Sequence, residues 1–325
     1  MKKKLTSLAL FALLLALCQS AEAQQLGKIP RIGVLSPDSA TVASDRYDSF
    51  RQGLRELGYV EGKNIFIEIR YAEAKQDQFS DFATELVKLK VDVVVTASTP
   101  GVLAAKKATS TIPIVFAGAG DPVRVGLVSS LARPGGNVTG LSIFAPELHG
   151  KRLELLKEAF PKVGSVAYIW DPASPGTGLA GMQAAAPALG LKLQSLEVRS
   201  AKDFDGAFKA LLSERTQAIT VQAVPIMSIN QKRIVGFAAK NRLPAIYPDV
   251  EFVEAGGLMS YGINIPDLWG RAAVYVDKIL KGTKPADLPV EQPTTFELII
   301  NLKTANQTGL TIPPNVLARA DKVIK

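Results

Sequence analysis

His149 is the only histidine and Cys18 the only cysteine in the 325 residues, so the chain has no set of histidines or thiolates to hold a metal. His149 sits just before Lys151 and Arg152 at the start of a predicted helix. A solvated capping role is expected there rather than that of a general base. The glycine-rich run Ala117–Val123, AGAGDPV, follows an apolar stretch and invites a dinucleotide reading. That fingerprint needs a third glycine where Val123 stands, and Pro122 interrupts the turn. No G-x-x-x-x-G-K-[ST] loop and no G-x-S-x-G elbow occurs either. The residues therefore suggest neither a bound cofactor nor a nucleophile, and no catalytic set is assigned.

What they offer instead is polar groups where parallel strands end, the place at which open α/β sheets bind ligands. In the first half these are Ser36, Asp121 and the run Thr96-Ala97-Ser98-Thr99-Pro100. Thr99 is expected as N-cap and Pro100 as first residue of the next helix, whose free backbone N–H groups, with Ser98 and Thr99, suit a carboxylate. In the second half the strand ends carry Asp171 with Ser174, then Gln222, then Tyr247 with Asp249. Asp171 or Asp249 would neutralise an ammonium, while Tyr247 and Trp170 offer flat apolar surface. The competing reading makes each of these residues a cap or a turn former.

The elements that must position these groups read as two βα series. Arg31–Leu35, Ile65–Tyr71, Val91–Val95, Ile112–Ala117 and Val138–Ile143 are predicted strands. The helix over Asp45–Leu57, capped by Ser44 and Gly58, places Tyr47, Phe50, Leu54 and Leu57 on one face. Phe79, Phe82, Ala83, Leu86 and Val87 mark a second helix. After a helix over Glu147–Ala159, strands at Val166–Trp170, Lys192–Val198, Ala218–Val224 and Ala245–Tyr247 alternate with helices near 177–188, 203–212 and 229–240. Leu258–Tyr261 and a helix over Leu268–Leu280 precede a proline-rich tail. The fold class is α/β, with two doubly wound lobes built on parallel sheets.

Several segments together resemble a known family. They are Gly33–Ser36, Phe50–Tyr59 with Glu61–Asn64, Ala132–Gly140, Arg242–Tyr247, Glu254–Gly262 and Ala286–Pro293. They are similar to the ABC-transporter substrate-binding proteins that include the tryptophan-binding lipoproteins, and the resemblance runs from about Ile29 to Lys325. It implies the type I periplasmic-binding-protein architecture, two lobes joined by three hinge crossings with a ligand between them. The crossings would fall near Phe144–Ala145, Glu254–Gly257 and Glu291–Pro293. The first lobe would then hold residues 28–144 and 258–290, and the second 145–257 and 291–325. The resemblance also implies a small-molecule ligand, amino-acid-like and in some members aromatic, and delivery to ABC permease subunits in the inner membrane by a monomer.

The N-terminus agrees with such a role. Lys2–Lys4, the apolar run Leu8–Cys18 and Ala21-Glu22-Ala23 form a signal peptide over residues 1–23, with a periplasmic product starting at Gln24. Lipid anchoring through Cys18 is the alternative, disfavoured by Leu17 before it. The net charge of +8 is scattered, with no basic arm, so no nucleic-acid partner is expected. A repressor sharing this core would need a DNA-binding headpiece ahead of the first strand, and the few residues after Ala23 leave no room for one. An exported enzyme using the same cleft remains the alternative function.

Overall fold

The computed structural model describes residues 28–143, 145, 147–174 and 178–325. The expected signal peptide, Cys18 and Phe144 of the first expected crossing lie outside the described residues. The first sheet takes β1 (Arg31–Ser36), β2 (Phe66–Tyr71), β3 (Val93–Thr96), β4 (Ile114–Ala119) and β5 (Val138–Ser142) in the order β2-β1-β3-β4-β5, all parallel. Three of the connections are the helices α1 (Ser44–Glu56), α2 (Gln76–Lys88) and α3 (Thr99–Ala108). β1, β3 and β4 are buried on both faces, which is why they read as continuous apolar runs.

The second lobe follows with α4 (Glu147–Ala159), β6 (Ser165–Trp170), α5 (Leu179–Ala188), β7 (Lys192–Glu197), α6 (Asp203–Ser213) and β8 (Ile219–Val221). Two helices, α7 (Pro225–Ile229) and α8 (Gln231–Lys240), lead to β9 (Ala245–Tyr247), α9 (Val250–Glu254) and β10 (Met259–Gly262). Within it β7-β6-β8-β9-β10 repeats the winding of the first sheet. Each sheet therefore has a point where strand order reverses, between β1 and β3 and between β6 and β8, and loops part there to leave a crevice.

The chain then returns to the first lobe as α10 (Ile265–Leu280) and a short 3-10 turn at Pro285–Asp287. Trp269 of α10 sets its edge against Tyr47 of α1 with ring centroids 5.0 Å apart. The close approach of the two helices depends on Gly53, whose Cβ would lie 2.5 Å from the Gly270 carbonyl oxygen. The tail forms β11 (Glu297–Asn301), α11 (Leu302–Thr308), α12 (Pro314–Leu317) and β12 (Lys322–Ile324). β11 pairs antiparallel with β10, and β12 parallel with β11, extending the second sheet to seven strands.

Two expected crossings move. Met259–Gly262, expected in the first lobe, pairs with β9 and β11 in the second sheet. The chain therefore crosses at Ile263–Asn264, and Glu254–Gly257 is merely the turn after α9, with Gly256 at φ 100°. Glu291 still belongs to the first lobe, since Ser142 N–H donates to its carbonyl and its own N–H donates to Gly140. The last crossing thus starts beyond it, in residues 292–296. In both cases a short apolar strand pairs with whichever sheet has an open edge, a choice that local sequence does not make.

Candidate functional site

The loops at the two switch points face one another between the lobes. Pro37 and Asp38 after β1, Ala97 and Ser98 after β3, and Gly118 and Gly120 at the end of β4 come from the first lobe. Ala223 and Val224 after β8, and Pro248 and Asp249 after β9, come from the second. They line two adjoining chambers that share Ile143, Ala223, Asp249 and Ile265, with about 60 and 50 Å³ open to the centres of water molecules. One water needs ~10–15 Å³ by that measure, so each chamber takes a few waters or a small polar head group.

Charge in this cleft is concentrated and buried. Arg46 of α1 gives a bidentate pair to Glu251 of α9, Nε to Oε1 at 2.8 Å and Nη2 to Oε2 at 2.5 Å. Its Nη1 reaches Asp38 Oδ2 at 2.5 Å. The Arg46 and Asp38 side chains are 7% and 1% exposed, and Glu251 is 10% exposed, so a buried ion triad joins the lobes. Asp38 and Glu251 raise the guanidinium pKa against the opposing effect of desolvation, leaving it above the ordinary arginine range. Desolvation in turn raises the Asp38 carboxyl, partly offset by Arg46.

Asp249 is buried beside this triad, and its Oδ1 has no hydrogen-bond partner. Desolvation, then the neighbouring Glu251, push its carboxyl up to about 7 against the pull of Arg46 and Arg152. Arg152 of α4 also lines the cleft, where its Nε donates to the Tyr261 carbonyl at 2.7 Å. Among the described residues no carboxylate lies within ion-pair distance of Arg152, and burial brings its pKa down to about 10. His149 lines the same chamber instead of capping in solvent. Its ring packs so closely on Gly178 that a Cβ there would meet His149 Cε1 at 2.1 Å. Burial and then Arg152 hold the ring neutral, with a pKa of about 4.

Of the polar residues expected from strand ends, Ser98 and Asp249 reach the cleft lining. Ser98, not Thr99, is the N-cap of α3: its Oγ accepts from Gly101 N–H at 3.3 Å, and it holds φ 63°. Thr99 is the first helical residue and Pro100 the second, so the expected cap moves by one, and Thr99 Oγ1 accepts from Gly120 N–H at 3.4 Å. Ser36 shapes its own turn through Asp38, and Asp121 accepts from Arg124 N–H at 3.0 Å. Asp171, Ser174 and Gln222 form one local net. Gln222 Oε1 accepts from Asp171 N–H at 2.6 Å, and its Nε2 donates to the Ser174 carbonyl at 3.3 Å. Asp171 Oδ1 accepts from Ala173 N–H at 2.9 Å. Tyr247 is not cleft surface: it is fully buried and stacks on Phe252 with centroids 4.9 Å apart. As the last residue of a three-residue central strand it points into the lobe core. Trp170 packs at the β7 edge and donates to Ser195 Oγ at 2.7 Å.

Sequence reasoning missed Asp38, Arg46, Arg152 and Glu251. Arg46 stands four residues before Phe50 and Arg152 four after Leu148, each a charge inside an apolar helical stripe. Such an intruding arginine was a usable signal. Nothing local marks Glu251, whose partner is 205 residues away.

Gly262 sets the spacing of this site. A Cβ on it would lie 1.7 Å from the Pro248 carbonyl oxygen and 3.2 Å from Arg152 Nη2. Gly262→Ala must therefore push the Pro248–Asp249 loop away from Arg152. We expect a loss of ~1–3 kcal/mol in urea unfolding. Wild-type stability in this variant would show that the loop is not held by that contact.

Two α/β lobes that converge buried, incompletely paired charges on a common cleft define a two-lobed binding protein of the type I periplasmic-binding-protein fold. Residues 31–324 match the sequence model of the ABC transporter substrate binding proteins, and the chain belongs to that family. It is 28% identical over 263 residues to a tyrosine-binding protein of Clostridioides difficile strain R20291, spanning 78% of this chain and 74% of that one. Its structure matches that of an ABC domain from Streptococcus pneumonia in complex with L-Trp, with a TM-score of 0.83 and 29% identity over 91% of this chain and all of that one. The ligand-free, open structure of a substrate binding protein with adhesive properties from Clostridium difficile, 25% identical over the same 91% and all of its own chain, gives a TM-score of 0.65. Among the described residues no helix is long and apolar enough to cross a membrane.

Proposed function

We propose that this protein is a periplasmic receptor that captures an amino-acid-like solute between its lobes and hands it to the permease of an ABC importer, without catalysing a reaction. The observation that carries the reading is the unpaired buried carboxylate of Asp249 in the cleft shared by both lobes, with Arg152 lining the same chamber. Opposite charges buried in one chamber and not within ion-pair distance of each other suit a zwitterion, which supplies both counter-charges. Relatives bearing tyrosine and tryptophan in their names support an amino acid as the class. The chain superposes better on the L-Trp complex than on the open, ligand-free structure, with TM-scores of 0.83 and 0.65, which supports a cleft that closes on its ligand. Export behind the signal peptide at residues 1–23 belongs to the same proposal.

A thermal-shift screen over amino acids, small peptides, sugars and organic acids tests it. A ligand at 100 times its Kd adds about 2.7 kcal/mol. With the compound so found, calorimetry on Asp249→Asn should show a loss of ~2–5 kcal/mol in binding. Asp171→Asn should bind within about twofold of the parent, because Asp171 is engaged in its own turn. Equal affinity in both variants would remove Asp249 from the site, and turnover of the bound compound would favour an enzyme.

A further inference from the structure

The first sheet ends on an open strand. β2 lies at its edge and pairs with β1 in parallel. Phe66 N–H donates to the Pro30 carbonyl and Ala72 N–H to that of Ser36, so the even-numbered residues of β2 turn their backbone groups inward. The N–H and C=O groups of Ile67, Ile69 and Tyr71 therefore point away from the sheet. Among the described residues none of these N–H groups meets an acceptor. Of the three carbonyls only that of Ile69 is engaged, by Arg70 Nη1 at 3.1 Å. Every residue of the strand is half-buried or exposed. Exposed apolar side chains sit where it begins, Phe66 at 41%, Val60 in the preceding turn at 40% and Ile29, just ahead of β1, at 39%.

An unpaired edge accepts another strand, and its side chains decide which. Glu68 and Arg70 stand on one face of β2. In the single chain Arg70 Nε lies 2.9 Å from Glu85 and its Nη1 3.8 Å from Glu68, both partly exposed pairs that contribute little. Let a second copy of the chain pair antiparallel about a two-fold axis at Ile69. The outward groups then meet, Ile69 with its own counterpart and Ile67 with Tyr71, and Glu68 lies opposite Arg70 twice over. A slip of two residues either way sets Glu68 against Glu68 or Arg70 against Arg70, which is unfavourable. Charge therefore singles out one register. β7, the edge of the second sheet, lacks this property. Its Lys192 N–H donates to Gly164 and Val198 N–H to Trp170, so Leu193, Ser195 and Glu197 turn their backbone groups outward. A two-fold axis at Ser195 sets Glu197 against Leu193, with no charge to meet it.

We propose that two copies of this protein associate through their β2 edges, as an antiparallel two-fold dimer whose first sheets run on into one another. This replaces the monomer that the family resemblance implied. The interface is isologous, so the Glu68–Arg70 contact is made twice. Phe66 lies diagonal to Arg70 of the second copy and buries exposed surface against its aliphatic stem. A seam of six residues is about 20 Å long at ~3.3 Å per residue, which makes a small interface and a dimer in exchange with monomer. The clefts open at the carboxyl ends of the strands, and an antiparallel seam sends those ends in opposite directions. Pairing thus leaves both clefts free to bind, whatever their ligand.

Sedimentation velocity on the chain from Gln24 onward, between about 1 μM and about 1 mM, tests this. The sedimentation coefficient of the parent should rise with concentration toward that of a dimer. Glu68→Arg sets two arginines against each other across the seam, and Arg70→Glu sets two glutamates. Each variant alone should associate about tenfold or more weakly than the parent. Mixed in equal amounts, the two variants complement one another at both contacts and should associate as the parent does. The mixture also separates the seam from a folding defect, because a misfolded variant would not regain a partner. A parent that stays monomeric to ~1 mM overturns the dimer. Single variants that associate like the parent place the contact on another surface and overturn it too. So does a mixture that remains monomeric while the parent dimerises.

Discussion

Arg46→Ala is expected to cost about 3–5 kcal/mol of stability, more than any single change at the protein surface. The reason lies in what the substitution leaves behind. Asp38 and Glu251 are both buried and both take their positive charge from this guanidinium. Desolvating them is already an expense, tolerated because the bidentate geometry to Glu251 and the third contact to Asp38 return most of it. With the arginine gone, two uncompensated carboxyls must either take up protons or draw water between the lobes. Arg46→Lys should recover only part of the loss, since one ammonium does not reproduce the two-pronged contact. Urea unfolding of the two variants beside the parent checks this. Because the pair bridges first lobe to second, solution scattering on Arg46→Ala should also show a larger radius of gyration. A loss below ~1 kcal/mol would mean that the triad is no stronger than an exposed ion pair.

Stability should also fall as the pH rises from about 4 to about 7, opposite to the trend of a protein held by depressed carboxylates. In the folded chain the Asp249 carboxyl is pushed up to about 7 by desolvation and by Glu251, while unfolded it titrates at its ordinary value of 3.8. The folded state therefore binds the proton more tightly. The stability this group adds is fully present below pH 3.8 and is lost as the pH rises through 7. About three units of separation correspond to ~4 kcal/mol at most. Asp38, raised by its own burial, adds in the same direction. Exposed Asp203, lowered by the Arg199 and Ser200 N–H groups, works against it in the acid range. Asp249→Asn should flatten the profile between pH 4 and 7. A profile unchanged in Asp249→Asn would assign the titration elsewhere.

Much of this molecule was legible without coordinates. The continuous apolar runs of β3 and β4 had to be central parallel strands, because only strands covered on both faces dispense with alternation. The spacing of Tyr47, Phe50 and Leu54 placed the buried face of α1 correctly, and the regular βα rhythm gave two doubly wound lobes. Doubly wound sheets bind at their strand ends, and of the strand-end candidates Ser98 and Asp249 do line the cleft between the lobes. These are consequences of short-range periodicity, which one chain segment carries by itself.

Tertiary structure alone decided which of the equivalent strand-end residues face the cleft. Asp171 and Asp249 look alike in sequence, each an aspartate just past a parallel strand. Asp171 finds the Ala173 N–H two residues on and settles into its own turn. Asp249 is brought against Arg46 and Glu251, and retains an unpaired oxygen. Tyr247 was lost to the core for a similar reason, since side-chain direction at the end of a three-residue strand depends on how the strand is paired. The edge that Met259–Gly262 and Glu297–Asn301 chose, and the meeting of Arg46 with Glu251 across 205 residues, are long-range choices. Local sequence determines period, caps and turns. Pairing partners and the matching of buried charges follow from the closed packing of two lobes, where desolvation makes each unpaired group count.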